Sequence, residues 1–544
     1  MSRLTSFLFS TLLISTVTSQ STVSFTANLS GPSTFLRFPI TNCVGSSHFA
    51  MSLREDYRAH LRAIQNDIGF NYIRGHGIMD DDVSTYLGGG PNMFNVFSTF
   101  DFYLSINIYP IVEISFMPIS LAQDPTQTVF HYRGGTSPPA SFSQWYTYIY
   151  DFTSALVERY GVETVRNFKF EVWNEPNCGF YDAKLGHYVG YGFGISNGDN
   201  IVGCCGSGCG NQTSYFLLYN ATARAVKAVD PFLRVGGPAT AQLGWFPEFL
   251  EYVSTTNAPV DFVSSHLYPS DSFLNQTADG FIQAIANASN IAQNAGLPLT
   301  VTEFNAGLGL PENDGPYGAA AIMHIHLNSQ SVPNVDTLSF WTFSDIFEEG
   351  GLISQPYTST PKYGMQTIYG VPKPVYRAFQ MISKQPNAAV PVVGSGIDEN
   401  GESLRFTSRV GGATVGTVDA MVSTASDGRM TAIVALVTNY DLWGQPTPPN
   451  TTVTLAIQNI PSNAVVSPTA GVEYLDSTHA YAKPVWEAAG SPTYPTPVEI
   501  ADELAASQLV QETIPFTSLG NNAYSVTITL ESYAVARITM AYVV

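Results

Sequence analysis

From about residue 40 to 385, short apolar runs rich in β-branched residues alternate with amphipathic stretches of helical length. That rhythm gives parallel strands, each followed by a helix that packs back onto the sheet. Strands are predicted at 71–74, 109–115, 168–173, 233–236, 260–266, 299–303 and 337–341, preceded by an ill-defined first strand near Cys43. Eight such units close into a (β/α)₈ barrel, an α/β fold whose active site lies at the C-terminal ends of the strands.

Beyond Gln385 the texture changes to period-two alternation without helical punctuation, as in Thr-Val-Thr-Leu-Ala-Ile (452–457) and Tyr-Ser-Val-Thr-Ile-Thr-Leu (524–530). This predicts a β-sandwich over 386–544 behind a catalytic barrel over 40–385. Residues 20–39 are expected to add an edge strand to that sandwich. Residues 1–19 read as a signal peptide: Arg3, an apolar stretch from Leu4 to Val17, then Val17-Thr18-Ser19 with small residues where signal peptidase cuts. The apolar run is short for a bilayer span and is broken by Ser and Thr, so secretion is expected rather than membrane anchoring.

Charge narrows the partner. Against 23 Lys+Arg stand 43 Asp+Glu, a formal net charge of -20. Such a surface repels nucleic acid, anionic membranes and strongly acidic polymers, so a neutral substrate fits best. Asn-x-Ser/Thr acceptor triplets at Asn28, Asn211, Asn220, Asn275, Asn287 and Asn450 suit a secreted glycoprotein. Of the five cysteines, Cys43, Cys178, Cys204, Cys205 and Cys209, an oxidising compartment favours disulfides over a metal cluster, with Cys178 and the 204–209 knot stapling one loop. The odd count leaves one thiol over.

Trp173-Asn174-Glu175-Pro176-Asn177 ends the fourth predicted strand, and Thr302-Glu303-Phe304-Asn305 ends the seventh. Both carboxyls would then point into one pocket mouth. Glycoside hydrolysis needs such a pair, one carboxyl donating a proton to the leaving oxygen and the other attacking the anomeric carbon. A lone Glu at a strand end is as readily a salt-bridge partner; two with these neighbours are not. His324 and His326 are two apart on a predicted helix and would face different ways, so no metal site is expected there.

The segments Phe-Asn-Tyr-Ile-Arg-Gly-His-Gly-Ile-Met-Asp-Asp-Asp (70–82), Glu-Ile-Ser-Phe-Met-Pro (113–118), Phe-Glu-Val-Trp-Asn-Glu-Pro-Asn (170–177), Val-Gly-Gly-Pro-Ala (235–239), 260–269 and Phe-Trp-Thr-Phe-Ser-Asp-Ile-Phe-Glu-Glu (340–349) resemble glycoside hydrolase family 39. The likeness covers most of 50–385 and returns around Asp-Ser-Thr-His (476–479) and Ala-Ala-Gly-Ser-Pro (488–492). It implies a retaining β-xylosidase or α-L-iduronidase without a cofactor, with Glu175 as general acid/base and Glu303 as nucleophile. It further implies that Asn174 binds the sugar 2-hydroxyl and that His76, His266, Tyr268, Trp341, Glu348 and Glu349 line the sugar subsite.

The resemblance implies a basic residue just beyond the sixth strand in the α-L-iduronidases, which must neutralise a uronate. Ser-His-Leu-Tyr-Pro-Ser-Asp (265–271) offers no Lys or Arg, so the β-xylosidase branch fits better, with a xylo-oligosaccharide or xyloside as substrate. Two departures bear on the glycone: the Gly-, Tyr- and Cys-rich insertion at 179–210, and Pro-Lys-Tyr-Gly-Met-Gln (361–366) in place of a Gly-rich loop. An arabinosidase or glucosidase of the same fold is the alternative within the enzyme class. A secreted carbohydrate-binding protein without turnover is the alternative outside it, and retention of both Glu175 and Glu303 argues against that.

Overall fold

The structure is a computed structural model that describes residues 20–182, 210–347, 357 and 363–544. Eight parallel strands form a closed barrel. They are β1 (Cys43–His48), β2 (Tyr72–His76), β3 (Tyr109–Ile114), β4 (Lys169–Val172), β5 (Arg234–Ala241), β6 (Phe262–His266), β7 (Leu299–Phe304) and β8 (Val335–Phe340). Closure is made where Ser339 and Phe340 of β8 pair with Cys43 and Val44 of β1.

The strands are buried on both faces, since one side meets the barrel interior and the other the helices. That is why they read as near-continuous apolar runs. The surrounding helices are held by stripes of apolar residues. Phe142–Tyr160 buries Trp145, Tyr148, Ile149, Phe152 and Leu156, spacings of three and four that place all five on one face. Ser141 caps its start, accepting from Gln144 N at 3.3 Å. Trp145 Nε1 then reaches Thr222 Oγ1 at 2.7 Å on the helix Gln212–Val229.

Two facing sheets enclose a second apolar core, separate from that of the barrel. The strand Thr451–Gln458 shows the expected period, with Val453, Leu455 and Ile457 inward. The N-terminal strand Ser21–Asn28 does not sit at the sheet's edge, where the sequence reading put it. It runs between Val392–Ile397 and Thr451–Gln458, antiparallel to one and parallel to the other. Burial of Val23, Phe25 and Ala27 holds it there.

A second departure is that the sheet region contains helices, Lys483–Ala488 and Pro497–Ala506. Their signal was in the sequence: Thr496 and Glu499 form a reciprocal capping box ahead of the second. The two units meet across the barrel helix Pro316–Ser329, every residue of which from Tyr317 onward is buried. On it His324 Nδ1 pairs with Asp419 Oδ2 of the sandwich at 2.7 Å, while His326 Nε2 contacts Gln385 at 2.7 Å.

Candidate active site

At the end of β4 the chain turns through two non-glycine residues with left-handed backbone, Trp173 (φ 74°) and Glu175 (φ 40°). Such conformations persist only where surrounding bonds over-determine them, and here they do. Glu175 N donates to Ala239 O at 2.8 Å, and Cys178 N returns to Glu175 O at 2.9 Å. The Asn177 amide both accepts from Ala241 N and donates to Ala241 O, each at 2.9 Å, bolting the turn to β5. Trp173 Nε1 donates to Phe180 O at 2.8 Å. The strain therefore fixes where the Glu175 carboxyl sits.

Glu303, one residue before the end of β7, lies beside His266 of β6: a shift in strand register after Ser265 pairs the two directly. Arg74 of β2 donates Nη1 to Glu303 Oε1 at 2.7 Å, and Tyr268 donates its hydroxyl to Oε2 at 2.8 Å. His266 Nδ1 stands 2.9 Å from Glu175 Oε1 and 3.5 Å from Glu303 Oε2, so it spans the two carboxyls. Carboxyl oxygens of Glu175 and Glu303 and a ring nitrogen of His266 all lie within 4.8 Å of one another.

The two carboxyls are held differently. Burial pushes Glu175 up to about 7, and the positive charges of His76 and Arg74 only partly oppose that. Glu303, by contrast, is bound by donors on both of its oxygens. One carboxyl is set to carry a proton at mildly acidic pH, and the other is aligned by hydrogen bonds to both of its oxygens, the division of labour that acid/base and nucleophilic roles require. Burial holds His266 down at about 4, a neutral imidazole.

Beneath these groups is a charged layer that the sequence reading passed over. Arg74, fully buried, donates Nε to Glu171 Oε2 at 2.5 Å and Nη2 to Asn174 Oδ1 at 3.1 Å, and pairs with Glu113 Oε2 at 2.8 Å. Thr302 Oγ1 closes on Glu171 Oε1 at 2.8 Å. The available signal was a charged residue, Arg74, Glu113 or Glu171, within each of three buried strands, a placement that proteins tolerate only when the charge is paired.

Of the residues singled out from sequence, Glu175, Glu303, Asn174, His76, His266, Tyr268 and Trp341 come together at this end of the barrel. His76 Nδ1 bonds Glu113 Oε2 at 2.8 Å, its Nε2 lies 3.5 Å from Glu303 Oε1, and the Trp341 ring packs on it at 4.6 Å between centroids. Gly45 lies under that indole; a Cβ there would sit 2.6 Å from Trp341 Cε3. Glu348 and Glu349 lie outside the described residues, as do Cys204, Cys205, Cys209 and nearly all of the 179–210 insertion. Cys43 is a free, buried thiol.

Two sets of donor atoms among the described residues are close enough to share a cation: Glu175, His266 and Glu303, and, at the end of β1 and in the loop after β2, His48, Asp80 and Asp82. In the first set the proton affinity of Glu175 competes with a metal at acidic pH.

The model of the glycosyl hydrolases family 39 matches residues 30–193 and 208–523. A β-xylosidase of Caldicellulosiruptor saccharolyticus is 32% identical over 518 residues, covering 92% of this chain and 94% of that protein. A β-xylosidase of Geobacillus stearothermophilus is 35% identical over 364 residues, 62% of this chain and 66% of the other. The solved structure of a family 39 β-xylosidase from Caulobacter crescentus superposes with a TM-score of 0.71 at 26% identity, covering 95% of this chain and 99% of that one. Matched over most of its length by the family model and over nearly its whole length by a relative, this chain belongs to glycosyl hydrolase family 39.

Proposed function

We propose that the protein is a secreted, retaining β-D-xylosidase that releases xylose from the ends of xylo-oligosaccharides by double displacement. One observation carries the retaining assignment: carboxyl oxygens of Glu175 and Glu303 approach within 4.8 Å. Retaining glycosidases place their carboxyls about 5 to 5.5 Å apart, whereas inverting ones leave about 6.5 to 9.5 Å for a water. In the first step a Glu303 oxygen bonds to the anomeric carbon while the Glu175 proton passes to the departing glycosidic oxygen. In the second, the Glu175 carboxylate takes a proton from water, which attacks the anomeric carbon and frees Glu303.

Arg74 fixes one Glu303 oxygen and Tyr268 the other. Arg74 also occupies Asn174 Oδ1, which leaves the Asn174 amide nitrogen as a donor to a sugar hydroxyl. The choice of a neutral pentoside rests on two supports. The full-length and partial relatives are both β-xylosidases, and the loop after β6 carries Asp271, which accepts from Tyr268 N at 2.8 Å, where a uronate would need a cation. Secretion rests on the apolar N-terminus and on acceptor asparagines at exposed or half-buried positions. A disulfide-stapled insertion after Cys178 is proposed with it.

The deciding experiment is release of p-nitrophenol from the β-D-xyloside and from arabinoside, glucoside and iduronide analogues by wild type and Glu303→Ala, with the first-formed anomer followed by proton NMR. Turnover of the xyloside, lost in the variant, with β-xylose formed first, is expected. First formation of α-xylose would overturn retention, and preference for another glycone would overturn the substrate. A folded wild type that turns over nothing would mark a sugar-binding protein.

A further inference from the structure

The buried charges around the proposed nucleophile do not balance through Arg74 alone. Three carboxylates, Glu113, Glu171 and Glu303, surround that single guanidinium. The group placed to supply a second positive charge is His76. Its Nδ1 is 2.8 Å from Glu113 Oε2 and its Nε2 is 3.5 Å from Glu303 Oε1, so one ring bridges the two acids. The ring is buried and walled by Trp341, Phe130 and Phe116 at centroid distances of 4.6, 6.1 and 6.4 Å. Glu113 is itself fixed: Ser115 Oγ donates to its Oε1, and Arg74 pairs with its Oε2.

We infer that Glu113 is a positioning residue for catalysis, holding His76 as an imidazolium between itself and Glu303 so that the nucleophile faces two cations throughout the cycle. This deepens the function proposed above and rests on it. The bond at Nδ1 fixes the ring's orientation, and the ring then presents Nε2 to Glu303.

The charge count gives the arrangement its purpose. With His76 protonated and Glu175 neutral, two cations face three carboxylates. When Glu303 is esterified and Glu175 has surrendered its proton, two cations again face three carboxylates, Glu175 having replaced Glu303. The buried net charge stays at one negative through the double displacement. With His76 neutral it would be two negative throughout, which would hinder Glu175 from ionising for the second step.

The groups that face His76 are Arg74 on its own strand, Glu113 on β3, Glu175 beyond β4, His266 on β6 and Glu303 on β7, with the neutral Trp341 indole beyond β8. Burial disfavours the imidazolium and Arg74 repels it. The carboxylates of Glu113 and Glu303 outweigh both and hold the ring above its ordinary value.

The test compares the pH dependence of kcat/KM for wild type, Glu113→Gln and Glu113→Asp on the aryl β-D-xyloside. Nitrogen-15 NMR of labelled histidines, with His76→Gln to assign the signal, reads the ring's protonation directly. In Glu113→Gln the His76 ring is expected to lose its proton at lower pH and to set the alkaline limb in place of Glu175, about one pH unit below the wild-type limb, so that activity at neutral pH falls about tenfold and recovers on acidification. Glu113→Asp keeps the charge beside Arg74 but withdraws it from Nδ1, and should shift the limb by an intermediate amount in a protein that still folds.

An equal loss at every pH, or a Glu113→Asp profile superimposable on wild type, would overturn the inference and leave Glu113 a structural partner of Arg74. Were wild type to turn over no glycoside, the reading of the site would fail. The His76 nitrogen signals would still decide the role of Glu113, since an imidazolium that survives in Glu113→Asp with unchanged titration would refute it.

Discussion

Arg74 and Lys373 are both fully buried cations outnumbered by carboxylates, yet they stand in regions with different tasks. Lys373 donates Nζ to Asp314 Oδ1 at 2.5 Å and to Asp345 Oδ1 at 3.0 Å, at the root of the loop that follows β8. Asp345 also accepts from backbone, from Gly364 N at 2.9 Å. Gly364 comes so close that a Cβ there would stand 2.2 Å from Asp345 N. That cluster ties a buried cation to backbone. Around Arg74 the network instead leads on to Glu303, and from Glu303 through Tyr268 and His266 to Glu175. A buried ion pair is weak evidence for either stability or function. What separates the two is that one carboxylate beside Arg74 also answers to groups that can exchange protons.

The largest expected effect removes that carboxylate. Glu303→Ala should lower kcat/KM by about 10⁴-fold or more while the protein stays folded, since Arg74 keeps Glu113 and Glu171. Stopped assays with circular dichroism on the same samples check both halves. Glu175→Gln should cost about 10²- to 10⁴-fold on xylobiose, whose leaving group needs a proton, and less on an aryl glycoside. It should also alter the pH profile. Burial raises the acid to about 7, so wild-type activity persists below that value and falls as the proton is lost above it. The residual activity of Glu175→Gln should show no fall near that value; a limb that survived at higher pH would report loss of the His76 proton.

The same contrast explains what the sequence could reveal. Strand ends bearing Glu175 and Glu303 were legible because apolar β-branched runs stop at polar residues, and a barrel puts those stops at one rim. Which charges meet in the interior was not legible. Arg74, Glu113 and Glu171 come from three strands up to 97 residues apart, and only closure of the barrel makes them neighbours. His266 shows the same limit: its position in the sequence equally fits a satisfied core group, and only the register shift beside Glu303 brings it between two carboxyls. The N-terminal strand was legible as a strand but not as an interior one, because alternation reports which face is buried and not which neighbours pair. The helix Pro497–Ala506 was missed because the capping signal was outvoted by the alternation around it.

Lys373→Met tests the cluster away from the carboxylate pair. It strands Asp314 and Asp345 as buried charges without their cation, which should cost about 3 to 5 kcal/mol in stability. Urea denaturation measures the loss. Because Lys373 touches none of the acid/base groups, kcat of the folded fraction should hold. A variant that kept wild-type stability but lost turnover would erase the distinction drawn between the two cations.

The smallest effect is expected farthest from the site. Ile457 is fully buried in the sandwich core and pairs in register with Ala27 of the N-terminal strand and Tyr524 on its other side. Ile457→Val removes one methyl group from that core, a change worth about 0.5 to 1.5 kcal/mol. Its packing belongs to a core distinct from that of the barrel, so the denaturation midpoint should fall slightly while kcat, KM and the pH profile stay at wild-type values. A shifted alkaline limb in this variant would mean that sandwich packing reaches the Glu175 carboxyl. The path available for it is the buried helix Pro316–Ser329, whose start follows the loop beyond β7 and whose His324 is tied to Asp419.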